Sequence, residues 1–209
     1  MSNGKVFSDI AGRYDRLNAV LSLWQDQKWR NTVVSRLPKG RLLDLGAGTG
    51  AANEIFGDRR VVALDPAPEM LSLNDGSLRV VSVGEHLPFG DETFDAVFSA
   101  YVFRNLDSVD QTMGEMARIL KPAGMAGIVD LGRPAGKMAS KLHRAGTSII
   151  LPIAGTMIGA RNEYVYLHST LDKHPPPEVL LAEAPLELVD TWRLGPMGFV
   201  WAALLRKTS

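Results

Sequence analysis

An α/β protein built on a mostly parallel sheet is what the sequence predicts, and three observations carry that expectation. Short apolar runs alternate with helix-like stretches from Arg41 to Leu131. The first run ends in a glycine-rich turn, Asp44-Leu45-Gly46-Ala47-Gly48-Thr49-Gly50. Two late runs, Leu186 to Trp192 and Phe199 to Leu205, follow each other with a short connection. Alternating strand and helix is the pattern of parallel strands joined by crossovers, whereas two strands with a short link suit an antiparallel pair closing the sheet.

In chain order, Val6, Ile10, Tyr14, Leu17, Leu21 and Trp24 recur at spacings of three and four, and Trp29, Val33 and Leu37 continue that face until Pro38 and Gly40. One apolar stripe at helical spacing predicts a helical arm over residues 1–40. Five strands are expected at Arg41 to Leu45, Arg60 to Leu64, Leu78 to Val83, Phe94 to Ser99 and Met125 to Leu131, and the late pair brings the sheet to seven. Between them, Ser108 to Leu120 is the clearest helix, with Val109, Met113, Met116 and Leu120 on one side. Residues 132–183 read as a Gly- and Ala-rich helical region broken at Pro175-Pro176-Pro177. The linking segments are too short for separate domains, so a single domain over residues 1–209 is expected.

Composition narrows the function classes. With 23 basic and 23 acidic residues among 209, no global field steers the chain to nucleic acid or an anionic surface, and a small-molecule partner is expected. The absence of cysteine excludes disulfides, thiolate metal sites and a cysteine nucleophile, and the four histidines show no ligand spacing, so no metal is expected. No signal pattern opens the chain. The most apolar stretch, Ala145 to Ala160, is too short for a membrane span and is broken by Pro152 and Gly155, which points to a cytoplasmic protein.

The glycine turn is the sharpest local signal. A strand that ends in glycines and runs into a helix lets a ligand approach the backbone where a Cβ would block it, and the helix start offers unpaired N–H groups. The competing account is a turn that only packs tightly. The next strand ends at Asp65, from which a carboxylate at the sheet's C-terminal edge reaches both hydroxyls of a ribose; a cap before Pro66 is the other role open to it. Dinucleotide sites favour G-x-G-x-x-G, whereas here the glycines alternate as G-x-G-x-G, two positions after an acid. That arrangement resembles the first motif of S-adenosylmethionine methyltransferases, with Gly46, Ala47, Gly48 and Thr49 under the ligand and Asp44 drawing its ammonium. Val83-Gly84-Glu85 through Phe94-Asp95 resembles the segment of that class that holds the adenine, with Ala100 at the end of the fourth strand. Valine at 83 leaves base recognition to backbone groups near Gly84 and to apolar stacking.

Longer motifs point further. Tyr14-Asp15-Arg16-Leu17-Asn18-Ala19-Val20-Leu21-Ser22 followed by Trp29, Val102-Phe103-Arg104-Asn105-Leu106, Arg118 to Gly124 and Glu163-Tyr164-Val165-Tyr166-Leu167-His168-Ser169 are similar to segments of the ubiquinone and menaquinone biosynthesis C-methyltransferases. The resemblance runs from Val6 through the last strand. It implies a Rossmann-like class I methyltransferase fold with an antiparallel last strand, S-adenosylmethionine as methyl donor, and a reduced demethylated quinone as acceptor. Departures stand at Asp26, where the family has a histidine, at Asp130 and Gly132, where Glu and Ser are usual, and after the glycine turn, where the helix is shortened. They keep open a methyltransferase for another small molecule, or a paralogue that binds the donor without catalysis.

A quinol reacts through a ring carbon ortho to a phenolic oxygen, so the acceptor site must favour phenolate character and help to remove the ring proton. Because it follows the fourth strand at the edge where the donor methyl should lie, Arg104 is the first candidate for the phenolate partner or for ordering a water near it. A water held by Arg104 and a carboxylate, Asp26 if the N-terminal arm folds over the site, is the candidate proton acceptor; an Arg104 that pairs with a carboxylate and only shapes its turn is the alternative. Tyr14, Asn105 and Tyr166 are the candidate acceptor contacts, with Tyr164 beside them, and each tyrosine is equally compatible with a core position. His86, His143, His168 and His174 stand on no motif that requires imidazole. The stretch Ile149 to Ile158 suits either an isoprenoid entrance or ordinary core, and its neighbours Lys137, Lys141, His143 and Arg144 either a membrane surface or a solvated helix face.

Overall fold

The computed structural model describes residues 22, 24–76, 78–134, 136–157, 171, 175–195 and 198–208. The periodicity before residue 22, Tyr14, Tyr164 and Tyr166, and His168 and His174 lie outside them. The described chain runs through helix α1 (Asp26–Val34), β1 (Arg41–Leu45), β2 (Arg60–Asp65), α2 (Pro68–Ser72), β3 (Arg79–Val81), β4 (Phe94–Ala100), α3 (Val109–Ile119), β5 (Leu120–Leu131), α4 (Lys137–Met157), α5 (Pro177–Leu180), β6 (Glu187–Leu194) and β7 (Val200–Arg206).

These strands form one seven-stranded sheet in the order β3-β2-β1-β4-β5-β7-β6. All neighbours are parallel except at β7, which runs against both β5 and β6. The expected seven strands and reversed last strand are therefore present. β1 is bonded to both β2 and β4, so the connections leave it first in one direction and then in the other. A crevice opens at the carboxyl ends of such a pair, because the two sets of crossovers diverge there.

The sheet is buried on both faces, which is why its inner strands are apolar at nearly every position. Successive side chains alternate between two clusters: Leu43, Leu45, Val97, Ile128 and Ala203 pack with Met113 and Met116 of α3, and Leu42, Phe98, Val129 and Ala202 pack with Trp29 and Val33 of α1. Gly127 allows α1 to sit directly on β5, since a Cβ there would collide with Val33. α3 begins at Ser108, whose hydroxyl accepts from the Gln111 N–H at 3.3 Å, as expected of a capping serine.

Four expectations need correction. Trp24 does not continue the apolar face of α1; it stands at φ 58° and is 73% exposed, and the helix starts only at Asp26. The glycine turn runs into a single 3-10 turn, Asn53–Ile55, instead of a helix. Gly57, at φ 61°, takes the left-handed conformation that ends helical continuation, and the Asn53 amide turns aside to Asn74 and Asp75. α4 runs through Pro152 and Gly155 to Met157, so the proline does not break it. Among the described residues no helix is long and apolar enough to cross a membrane. Finally, β5 begins at Leu120 and takes in Lys121-Pro122-Ala123-Gly124 as an irregularity between the pairs Phe94↔Leu120 and Ala96↔Met125.

Ala123 sits at φ 61° in that irregularity and is exposed. A Cβ in the left-handed region costs about 1–2 kcal/mol, and glycine gives back part of this through its freer unfolded chain. Ala123→Gly should therefore raise stability by about 0.5–1 kcal/mol in urea denaturation.

Candidate active site

At the carboxyl end of β1 the chain turns sharply, and the N–H groups of Gly46 and Ala47 both donate to the Leu64 carbonyl, at 2.8 and 3.0 Å. Gly46, Gly48 and Gly50 stand at φ 76°, 52° and 87°. A side chain at Gly46 would strike Val102, and one at Gly50 would strike Asn53 and Asn74. The turn is held from below by two side chains. Asp65, at the tip of β2, accepts from the Gly48 N–H (3.0 Å) through one oxygen and from the Ala67 N–H (2.8 Å) through the other. Its capping role is thus observed, and each oxygen retains a second lone pair. Burial raises its pKa, against the pull of those two N–H groups. Asn74, 1% exposed, donates to the Gly48 carbonyl at 3.3 Å and accepts from Asn53 and from the Gly76 N–H. This amide latch supports the loop where a following helix is missing, and only the Asn74-Asp75-Gly76 turn signal hinted at it.

Asp44 lies under the same loop, 3% exposed. Burial pushes its carboxyl up to about 7, with Arg30 acting to lower it and Asp65 to raise it. The sign of the linkage follows. A carboxylate that is harder to ionise in the fold than in the unfolded chain opposes folding fully above about pH 7, and that opposition fades as pH falls from 7 towards 4. The free protein thus holds an acid that lacks an adequate counter-charge. A cationic ligand group beside it would supply one. A backbone cradle, a cation-seeking acid and a carboxylate with spare lone pairs together fit the methionine and ribose ends of S-adenosylmethionine.

Beyond β4 a second set of charges is packed around Tyr101. On α1, Asp26 faces Arg30 at 3.8 Å and accepts from the Ser22 hydroxyl at 3.2 Å. The Arg30 guanidinium stands 5.0 Å from the Tyr101 ring centre and that of Arg104 stands 5.9 Å away. Arg104 lies in the 3-10 turn Phe103–Asn105 and meets Asp130 at the end of β5 at 2.6 Å. Asp130 also accepts from the Arg104 N–H at 3.3 Å and is 1% exposed. Hence, among the described residues, the carboxylate paired with Arg104 is Asp130, and Asp26 stands beside Arg30. The pairing expected as the alternative for Arg104 is present. Asp130 and Tyr101 were not singled out as site residues; Asp130 is legible only as a departure from the family pattern, and Tyr101 carries no sequence mark.

The remaining candidates divide. Ala47 and Ala100 are buried at the crevice, and Thr49 is half-buried. Val83 is exposed, whereas Gly84 is buried against Thr112 and Leu106. Glu85 turns away to accept from the Asp107 and Ser108 N–H groups at 2.9 and 3.1 Å, so it orders the entry to α3. Asn105 donates to the Tyr101 carbonyl at 3.2 Å. His86 is exposed, and His143 stacks on Phe199. Arg104 and Asp130 also line a cleft of about 460 Å3 walled by Phe103, Leu131, Trp201 and Pro177.

Sheet order, reversed last strand and glycine turn together define the class I methyltransferase fold. Solved structures of that fold superimpose on the chain: a SAM-dependent methyltransferase from Thermotoga maritima with a TM-score of 0.69 at 17% identity, covering 98% of this chain and 99% of that one, and another from Aquifex aeolicus with a TM-score of 0.58 at 18% identity, covering 95% and 98%. At sequence level, residues 2–195 match the model of the ubiE/COQ5 methyltransferase family. The demethylmenaquinone methyltransferase of Thermus thermophilus is 34% identical over 85% of this chain and 88% of its own length. The ubiquinone/menaquinone biosynthesis C-methyltransferase UbiE of Geobacter sulfurreducens is 31% identical over 83% and 75%. The chain belongs to the ubiE/COQ5 methyltransferase family, and its methyl donor is S-adenosylmethionine.

Removing one partner of a buried ion pair leaves the other charge uncompensated, at a cost of about 3–5 kcal/mol. Arg104→Ala and Asp130→Ala should each destabilise the protein by that order, and the double variant by at least about 0.5 kcal/mol less than their sum. Urea denaturation of the three variants checks the coupling, which strict additivity would contradict.

Proposed function

We propose that the chain methylates a ring carbon of a reduced, demethylated polyprenyl quinone of the demethylmenaquinol type. The observation that carries this reading is the buried Arg104–Asp130 pair at the wall of a largely apolar cleft, in the turn whose Val102 packs against Gly46 of the glycine loop. When bound, S-adenosylmethionine supplies a methyl group already activated on a sulfonium. Asp44 pairs with the ammonium, Gly46 to Thr49 receive the methionine end, and Asp65 accepts from the ribose hydroxyls. Gly84, with the apolar surface of Val83, takes the adenine, and Ala100 borders the crevice. Glu85 contributes through the loop it orders.

Arg104 cannot act as a base, because its guanidinium stays protonated. Held by Asp130, it stabilises the acceptor's phenolic oxygen as phenolate and orients a water that takes the ring proton. Phe103, Leu131 and Trp201 offer the apolar contact that an aromatic ring and the start of its tail require. Asn105 borders the same turn. Tyr14 and Tyr166 are assigned to the acceptor by the family resemblance alone.

The chain is read as one methyltransferase domain, with residues 131–134 and α4 on the acceptor side through Ser140 and Arg144 of the cleft. Met138 and Leu142, one helical turn apart on α4, are both exposed, with Lys141 and Arg144 exposed beside them. That mixture suits transient contact between a cytoplasmic enzyme and the membrane surface that holds a tailed acceptor.

The test is transfer of a labelled methyl group from S-adenosylmethionine to short-tailed demethylmenaquinone, offered reduced and oxidised. Label should enter the ring of the reduced form only. Binding of S-adenosylhomocysteine without label in the quinol would replace this acceptor with another small molecule or make the chain a donor-binding paralogue.

A further inference from the structure

Tyr101 is the first residue beyond β4 and stands at φ 65°, a left-handed conformation that bulky side chains rarely occupy. The strain is locked in from several sides. Its N–H donates to the Val129 carbonyl at 2.7 Å, its carbonyl accepts from the Asn105 amide, and the guanidinium groups of Arg30 and Arg104 stand 5.0 and 5.9 Å from its ring centre. Residues held this way against their preference cluster at ligand sites, where the surroundings over-determine them.

The hydroxyl is the unexplained part. Tyr101 is 6% exposed, and among the described residues its buried oxygen has no hydrogen-bond partner. A buried polar group without a partner weakens the free protein. Phenylalanine at this position would keep the ring, its place in the core cluster with Trp29 and Phe98, and both cation–ring contacts, and would remove the weakness. Among the described residues the oxygen makes no hydrogen bond that a phenyl ring would lose.

We propose that the Tyr101 hydroxyl donates a hydrogen bond to the phenolic oxygen of the acceptor, making Tyr101 a catalytic residue beside Arg104. This rests on the quinol reading above. The two arginines near its ring make an oxygen carrying negative charge the fitting partner, and an O–H donor binds phenolate more strongly than phenol. Burial raises the pKa of the Tyr101 hydroxyl, against Arg30 and Arg104 and reinforced by Asp26 and Asp130, so it remains a donor. Such a bond selects acceptors with a ring oxygen ortho to the methylated carbon.

Tyr101→Phe tests this in the full chain with four readouts. Affinity for S-adenosylhomocysteine should stay within about twofold, and the thermal midpoint should hold or rise, because the lost hydroxyl had no partner. The kcat/KM for reduced demethylmenaquinone should fall about ten- to a hundredfold, the scale of one hydrogen bond to a charged oxygen. Binding of 1,4-dihydroxynaphthalene, followed by fluorescence, should weaken in parallel. A kcat/KM within twofold of the parent protein overturns the proposal, and so does a loss of turnover that tracks a loss of S-adenosylhomocysteine affinity. A parent protein that turns over no quinol defeats the quinol reading instead; unchanged binding of the naphthalenediol by the variant then still overturns the hydroxyl's role.

Discussion

Charge kept out of water at the carboxyl edge of the sheet is the constraint on which the rest of the site depends. Asp44 on β1, Asp65 on β2 and Asp130 on β5 all end up at this edge, and the arginines brought there come from α1 and from the turn after β4. Each acid is handled differently. Asp130 has a guanidinium at 2.6 Å, and Asp65 has two backbone N–H groups. Asp44 has neither, only the more distant influence of Arg30, and burial holds its carboxyl up to about 7. A paired acid shapes the fold, whereas an underpaired one waits for a ligand cation. Asp44 ends up on β1 and Tyr101 directly after β4, the two paired strands at whose carboxyl ends the crevice opens.

The architecture explains how one chain brings these groups together. Parallel strands with covering helices expose little except their ends, so residues at strand C-termini are the ones left to meet a ligand. β1 and β4 are adjacent but distant in sequence, and it is their pairing that sets the glycine turn beside Val102 and the Arg104 turn. α1 then closes the arrangement from above β5, delivering Arg30 to Tyr101. Losing the helix after the glycine turn does not open the site, because Asn74 ties the Gly48 carbonyl and Asn53 into one hydrogen-bonded unit.

What the sequence made legible was whatever depends on period and glycine spacing. The seven runs, the reversed last strand, the helix after Ser108 and the placement of Gly46 to Gly50 and Asp65 follow from patterns that recur every two or 3.6 residues or from a steric need for glycine. What was illegible depends on contacts between distant segments. Trp24 fits the helical face by spacing, yet the chain turns there. The choice of Asp130 over Asp26 as partner of Arg104 is decided by strand pairing, since β5 brings Asp130 alongside the end of β4. Left-handed Tyr101 could not be read at all, because no rule predicts a tyrosine where the backbone would favour glycine. The hydrogen bonds from the Asp107 and Ser108 N–H groups to Glu85 were illegible for a related reason, since they join segments more than twenty residues apart.

The central claim, that Asp44 is held partly protonated until a ligand ammonium arrives, is tested most directly by counting protons on binding. Calorimetric titration with S-adenosylhomocysteine at pH 7, repeated in buffers of different ionisation enthalpy, gives that count. A carboxyl near pKa 7 is about half protonated there, so ionisation on binding should release about half a proton per ligand, and more at pH 6. Binding without proton release, or with uptake, would contradict the account.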